Sequence, residues 1–377
     1  MWMRLSTVVI LAVCSGCAAL GWRNTEVQIP PELIDGQAAF GRTIPPAEPI
    51  DLLSVSSAMR EFVAQDVGTA AYSYARFRRL MRKMVATGFF INQYDRSATY
   101  SAAKTFETRK GNCIAYTNLF VALAREANLQ ASYQLVHGQP SWDVESGYLV
   151  RNNHVNVHLT GIRVPGDFGS ELTVDFNEVE PDDDARREQI SDAYAASMFY
   201  GNLSVQHLHD NDLEQAFAYL KRGIATEPSN IDLWNNLGSL YSVLEKDELA
   251  EQAYQVARSI NARDKTAIAG LVKVLHKQGR VDEAEGYERL VMRYQNRNPY
   301  YHYALAEQAY RNDNFDGALA AINQAIQLKR NNARFYALRA ATAQELGNSE
   351  LAAQSLRLQR KWSKDQDATA FITVSEN

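Results

Sequence analysis

Cysteine, excess charge and long apolar runs are all scarce in this sequence. Only three of its 377 residues are cysteine, Cys14, Cys17 and Cys113, so the chain after residue 17 cannot form an intrachain disulfide. The formal net charge of −5 gives no reason to expect nucleic acid as a partner. The apolar run at residues 8–13 is too short to span a bilayer. The length predicts more than one domain.

The N-terminus has the pattern of an export signal. Arg4 precedes the apolar run, and the small residues of CSGCAAL, 14–20, follow it, as in secretory signal peptides. The segment SGC, which ends at Cys17, resembles the bacterial lipobox, and this resemblance implies cleavage after residue 16 and lipidation of Cys17. Ala18 resembles the outer-membrane sorting class. We therefore expect a lipoprotein of the bacterial cell envelope, anchored in the outer membrane and facing the periplasm.

The second half of the sequence repeats itself every 34 residues. The repeat is marked by alanines at 216, 250, 284, 318 and 352, and this period is that of tetratricopeptide (TPR) units, each a helix–turn–helix. The best copy, residues 231–264, has Trp234, Leu237, Gly238 and Tyr241 at the motif's key positions. The pattern predicts an all-α solenoid of about five repeats. Such solenoids present a concave surface, so we expect a protein or peptide partner there.

Cys113 lies at the predicted start of a helix. Asn112 can cap this helix, and Phe120, Leu123 and Ala127 give it an apolar stripe. The positive end of the helix dipole favours the thiolate, the nucleophilic form of cysteine. With Cys17 lipidated, Cys113 is the only free thiol of an exported chain. It is therefore either buried as a small apolar residue or used chemically.

Three predicted strands follow this helix, over residues 132–138, 151–159 and 171–181. Strict alternation in the second strand places His154, Asn156 and His158 on one face. Asp175 lies in the third strand. Cysteine, histidine and aspartate in this order fit a thiol nucleophile with a proton carrier and an orienting carboxylate. A zinc site at His154 and His158 is disfavoured, because zincins place such histidines on a helix with glutamate after the first. We expect no metal and no cofactor.

The same three segments resemble the transglutaminase-like superfamily. GNC with the helix IAYTNLFVALAREANL, then NHVNV, then VDFN resemble its nucleophile, histidine and aspartate segments, over roughly residues 90–180. The resemblance implies a papain-like α+β domain, with Cys113 as nucleophile, His154 as general base and Asp175 orienting the imidazole. Many members of the superfamily have tryptophan where this chain has Asn156. The backbone N–H of Cys113 and the side chain of Gln93 are candidate oxyanion donors.

These observations predict a membrane-anchored transglutaminase-like protein of the cell envelope. Its chemistry would be thiol-dependent acyl transfer or hydrolysis on peptide or side-chain amides, as in a cysteine protease, an amidase or a transglutaminase, with the TPR repeats recruiting a protein partner. The alternative is a catalytically inactive TPR scaffold that binds peptides. The predicted regions are a signal peptide at 1–16, a Pro-rich spacer at 17–50, the transglutaminase-like domain at 51–190, the solenoid at 191–366 and a tail at 367–377.

Overall fold

The fold combines a mixed helix and sheet domain with an array of helix pairs. It is seen in a computed structural model, which describes residues 27–89, 95, 97–137, 141–143, 148–150, 154–162, 170–176, 186–363 and 373–376. The fold class expected from the sequence, an α+β domain followed by an all-α array, is confirmed.

Short helices surround one central helix in the first domain. The domain's helices are α2 (Ser57–Phe62), α3 (Ser73–Ala86), α4 (Ala102–Thr108) and α5 (Cys113–Glu126), while α1 (Gln37–Phe40) lies in the segment before them. The sequence predicted a single apolar stripe on α5, but every residue from Ile114 to Ala124 is buried. A helix that is apolar on nearly all sides fits the centre of a core, and α5 packs against strands, α2, α3 and α4.

Seven strands lie in the described part of the chain. They are β1 (Gln130–His137), β2 (Ser141–Asp143), β3 (Tyr148–Val150), β4 (His154–Ile162), β5 (Ser170–Asp175), β6 (Arg186–Ile190) and β7 (Thr373–Glu376). Five form an antiparallel sheet in the order β6-β1-β4-β5-β7. Because β4 and β5 are antiparallel neighbours, the start of β4 lies beside the end of β5. That corner holds His154 and Asp175.

Five helix pairs follow the sheet. Their helices are α6 (Asp192–His209), α7 (Leu213–Thr226), α8 (Ile231–Val243), α9 (Asp247–Ile260), α10 (Lys265–Lys277), α11 (Val281–Gln295), α12 (Pro299–Arg311), α13 (Phe315–Leu328), α14 (Ala333–Glu345) and α15 (Ser349–Trp362). The alanine that marks each repeat is buried in every pair, where a small side chain lets the two helices approach closely. Tyr254 packs just as tightly, since a Cβ on Gly238 would lie 2.6 Å from its ring.

Helix α6 belongs to two cores. Ala195, Phe199 and Tyr200 join the core of the sheet domain, while α6 also packs against α7 and α8. On that side Gly201 lies against Leu233, which is 3.2 Å from the position a Cβ would take. The helix array therefore begins inside the first domain rather than after a linker.

The described part of the Pro-rich segment before α2, predicted as a spacer, packs on the array. Leu33, Ile44 and Ala47 are buried in the core formed by α7 to α11. The hydroxyl of Tyr241 donates a hydrogen bond of 2.6 Å to the Leu33 carbonyl, and Ala47 N–H donates to Ala218. The apolar residues between the prolines supply the surface that makes this packing favourable.

Two further elements link the sheet domain to the array or its end. The β2–β3 hairpin directly precedes β4 along the chain, and it lies with β3 against α10 and β2 against α12. Strand β7 follows the last helix pair and lies along β5, with Asp175 paired to Thr373. Among the described helices, none is long and apolar enough to cross a membrane.

Candidate active site

The nucleophile segment begins with a glycine and a capping asparagine. A Cβ on Gly111 would lie 2.7 Å from the Ala115 Cβ, so this position accepts only glycine without local movement. Asn112 is the N-cap predicted from the sequence, and its Oδ1 accepts a hydrogen bond of 3.1 Å from Ala115 N–H. Cys113 is the first residue of α5, so its own backbone N–H has no partner within the helix.

Helix α5 is fixed against the sheet one turn beyond the cysteine. The Thr117 hydroxyl donates a hydrogen bond of 3.2 Å to the Val155 carbonyl of β4. The Tyr133 hydroxyl of β1 donates to Asn118 Oδ1 at 2.7 Å. Both bonds are buried, so they hold the first turn of α5 near the start of β4, where His154 lies.

His154 and Asp175 form a buried pair. His154 Nε2–H donates to Asp175 Oδ1 at 2.5 Å, and each residue is only 7% exposed. Asn156 Nδ2–H donates to the other carboxylate oxygen, Oδ2, at 3.2 Å. Both oxygens of Asp175 are therefore occupied, one orienting the imidazole and the other holding the carboxylate in place.

Cys113 completes the hydrogen-bonded series through the imidazole of His154. Burial by itself lowers the pKa of His154, but hydrogen bonds and charge interactions with Asp175 and then Cys113 outweigh it and raise the pKa to about 9. Since Asp175 takes Nε2, the hydrogen bond with the thiol falls to Nδ1. An imidazole with this pKa is positively charged at neutral pH, and it lies beside the sulfur of Cys113.

The rest of this sheet face is polar and buried. His158 and Gln134 lie on the same face as Asn156, and each has a buried ring or amide atom without a hydrogen-bond partner. His158 Nε2 lies 3.5 Å from Glu171 Oε2. The described residues contain no cluster of three or more histidine, cysteine, aspartate or glutamate side chains suited to a metal ion. His154 uses its ring nitrogens for Asp175 and Cys113 instead.

The structure thus brings together three of the site residues that the sequence singled out: Cys113, His154 and Asp175. Gln93 and Cys17 lie outside the described residues. Sequence reasoning noticed Asn156 only as a departure from the superfamily's tryptophan and missed its bond to Asp175. The alternation of the strand could have shown it, because Asn156 shares a face with His154.

A protein-family comparison matches this region. Residues 61–159 fit the model of the transglutaminase-like superfamily. The chain carries a transglutaminase-like domain. The match includes Cys113 and His154 and ends before Asp175, which the structure adds to the site. No curated protein matches the chain.

Solved structures similar to the chain cover just under half of it. MamA from Desulfovibrio magneticus RS-1 shares 16% identity over 47% of this chain and 98% of its own, with a TM-score of 0.26. PilF from Pseudomonas aeruginosa shares 18% identity over 47% of this chain and 80% of its own, with a TM-score of 0.27. YrrB, described as a TPR protein with an unusual peptide-binding site, shares 17% identity over 46% of this chain and 89% of its own, with a TM-score of 0.26. TM-scores this low carry no argument, so the TPR assignment rests on the 34-residue period and the five helix pairs.

The transglutaminase-like domain has the groups that acyl transfer through a thiol needs. Cys113 is partly exposed, so a carbonyl group can approach the sulfur from outside. The backbone N–H of Cys113, at the start of α5, is the type of donor that stabilises oxyanions. His154 holds a proton next to the sulfur, and Asp175 keeps the ring oriented.

Proposed function

We propose that this protein is a thiol acyltransferase or hydrolase that acts on peptide or side-chain amides, with Cys113 as its nucleophile. The observation that carries the proposal is the hydrogen-bonded series from Cys113 through His154 to Asp175. A buried histidine with a raised pKa, next to the only cysteine among the described residues, is far more specific than the three residue types alone.

In the first half-reaction the Cys113 thiolate attacks the amide carbonyl carbon and forms a C–S bond. The backbone N–H of Cys113 donates a hydrogen bond to the developing oxyanion. His154 then gives its proton to the amide nitrogen, the C–N bond breaks, and ammonia or an amine leaves a thioester on Cys113. Asp175 stabilises the charged imidazole before this transfer and keeps the neutral ring in place after it.

In the second half-reaction neutral His154 takes a proton from water or from an amine. That nucleophile attacks the thioester, the C–S bond breaks, and the Cys113 thiolate beside protonated His154 returns. Water gives hydrolysis and an amine gives cross-linking, so the two outcomes use the same site and differ only in the second nucleophile.

The helix array and the N-terminal sequence supply the setting of this proposal. The array is of the type that binds proteins or peptides, and we assign it the recruitment of a protein partner. The lipobox-like SGC segment supports a lipid anchor at Cys17 in the cell envelope. Labelling cells with a fatty-acid analogue tests the anchor: the wild-type chain should take up the label and Cys17→Ser should not. Equal labelling of both would remove the anchor from the proposal.

An acyl-enzyme assay tests the chemistry without knowledge of the natural substrate. The full chain is treated with p-nitrophenyl acetate, and acetylation of the Cys113 peptide is followed by mass spectrometry, with hydroxylamine used to confirm a thioester. We expect rapid acetylation in the wild type, strong slowing in His154→Ala, and near wild-type behaviour in the matched control His158→Ala. Acetylation of wild-type Cys113 no faster than that of a free cysteine peptide would favour the inactive scaffold.

A further inference from the structure

One side chain of the helix array reaches the segment that positions Cys113. Gln206 lies near the end of α6, and its amide nitrogen Nε2 is 2.6 Å from the Ser97 carbonyl and 2.8 Å from Thr99 Oγ1. Gln206 is half-buried, while Thr99 is only 3% exposed. Both acceptors lie before α4, more than a hundred positions earlier in the chain. This contact is therefore purely tertiary.

Thr99 passes this contact on to the cap of α5. Its hydroxyl oxygen also accepts a hydrogen bond of 2.8 Å from Asn112 Nδ2. The other end of the same Asn112 amide caps the helix through Ala115 N–H. The Thr99 hydroxyl oxygen thus orients the Asn112 amide, and with it the first turn of α5. Gln206 donates a hydrogen bond to the same oxygen.

The backbone of this segment supports the same placement. Asn112 N–H donates to the Ala98 carbonyl at 3.0 Å, and Asp95 N–H donates to the Gly111 carbonyl at 3.1 Å. Gly111 and Asn112 are therefore hydrogen-bonded to the same segment, residues 95–99, in which Gln206 contacts Ser97 and Thr99. A shift of Ser97 and Thr99 would move both residues that precede the nucleophile.

We propose that Gln206 is a positioning residue, through which the helix array sets the place of the Cys113 sulfur relative to His154. The inference rests on the proposed function, because it concerns the reactivity of the same cysteine. Gln206 touches neither the sulfur nor the imidazole. It acts by fixing the Thr99 hydroxyl, which fixes the Asn112 cap.

The opposite end of α6 offers a matched control. Arg125, near the end of α5, makes two hydrogen bonds to Asp192 at the start of α6, at 2.6 and 2.9 Å. Helix α6 is therefore bound to the first domain at both of its ends, but only the Gln206 end contacts the segment next to the cap of α5. Asp192→Asn weakens another contact of α6 with the first domain without touching the cap of the nucleophile.

The test compares Gln206→Leu, Thr99→Val, the double variant and Asp192→Asn in the full chain. The first readout is the rate of Cys113 alkylation by iodoacetamide at about pH 6, measured on the Cys113 peptide. We expect each of the first two variants to slow it about five- to tenfold, as the loss of about 1 kcal/mol of hydrogen bonding implies. Because both act through one relay, the double variant should be no slower than either single variant. Asp192→Asn should match the wild type.

A general loss of stability would have the opposite sign, since it exposes the thiol and speeds alkylation. The second readout is amide hydrogen exchange in the peptide that contains Ala115 and Tyr116, which reports on the cap whether or not the thiol is activated. Faster exchange in Gln206→Leu but not in Asp192→Asn is expected. Fast wild-type alkylation with no change in Gln206→Leu in either readout would overturn the positioning role. Slow wild-type alkylation with altered exchange in Gln206→Leu would instead overturn the proposed function alone.

Discussion

Asp175→Asn removes the charge that keeps His154 protonated while preserving the shape of the side chain. Asn156 can adapt to the new amide, because its Oδ1 has no hydrogen-bond partner in the native site. A flip of the Asn156 amide would present that oxygen to the NH₂ group that the substitution introduces. The change therefore tests electrostatics rather than packing.

The expected size of the effect follows from the pKa of His154. A rise from 6.5 to about 9 corresponds to about 3 kcal/mol of net stabilisation of the imidazolium, or a factor of about 300 in its protonation equilibrium. Asp175 contributes most to that rise, and burial acts against it, so the pKa of His154 falls back towards or below its ordinary value in the variant. We expect the charged pair of Cys113 and His154 to become at least about tenfold rarer at about pH 6.5.

Iodoacetamide alkylation of Cys113 between about pH 5 and about pH 10 measures this pair, because only the thiolate reacts. His154 is protonated below about pH 9, so on the acid side of that value the wild-type rate should exceed the rate in Asp175→Asn. The rate in Asp175→Asn should fall with decreasing pH, as it does for a free cysteine peptide. Asp264→Asn, at a buried aspartate in the array, is the matched control. A wild-type profile in Asp175→Asn would refute the reasoning.

Two further predictions concern packing around the site and the N-terminal segment. Gly111→Ala places a Cβ 2.7 Å from the Ala115 Cβ, so we expect a loss of about 1–3 kcal/mol, seen as a lower Tm. Gly286→Ala, at an uncrowded helix position, should leave the Tm unchanged or raise it; an equal loss in both would contradict the steric argument. Tyr241→Phe removes the buried hydrogen bond to the Leu33 carbonyl and should cost about 1–2 kcal/mol. Hydrogen exchange in residues 31–34 should rise, and unchanged exchange would show that apolar packing alone holds this segment.

Local patterns of the sequence marked each of the three residues that the structure brings together, Cys113, His154 and Asp175. Asn112 before an apolar helix predicted the cap, and the alternation of β4 predicted which face carries His154. Their meeting with Asp175 followed from the resemblance to a known arrangement. The bond between Asn156 and Asp175 needed the pairing of β4 with β5, which no local pattern contains.

Other features were beyond sequence reasoning for a physical reason. Strand β6 (Arg186–Ile190) is polar and half-exposed, so it lacks the alternation that identifies a strand with one buried face. The hydrogen bonds of Gln206 to Ser97 and Thr99 join residues more than a hundred positions apart. In the sequence Gln206 cannot be distinguished from any other glutamine on a helix surface. The burial of α5 on nearly all sides depends on its packing against α2, α3, α4 and the sheet, which cannot be read from the sequence of the helix itself.

The double membership of α6 limits how this protein can be divided or rebuilt in evolution. An array of repeats ordinarily grows or shrinks by whole units, because each unit contacts only its neighbours. The first unit here cannot be lost in this way, because its deletion would remove Ala195, Phe199 and Tyr200 from the core of the transglutaminase-like domain. Later units carry contacts of their own with the rest of the chain, since the β2–β3 hairpin lies against α10 and α12 and the N-terminal segment packs on the core of α7 to α11. The array and the domain are therefore inherited together, with α6 as their common part.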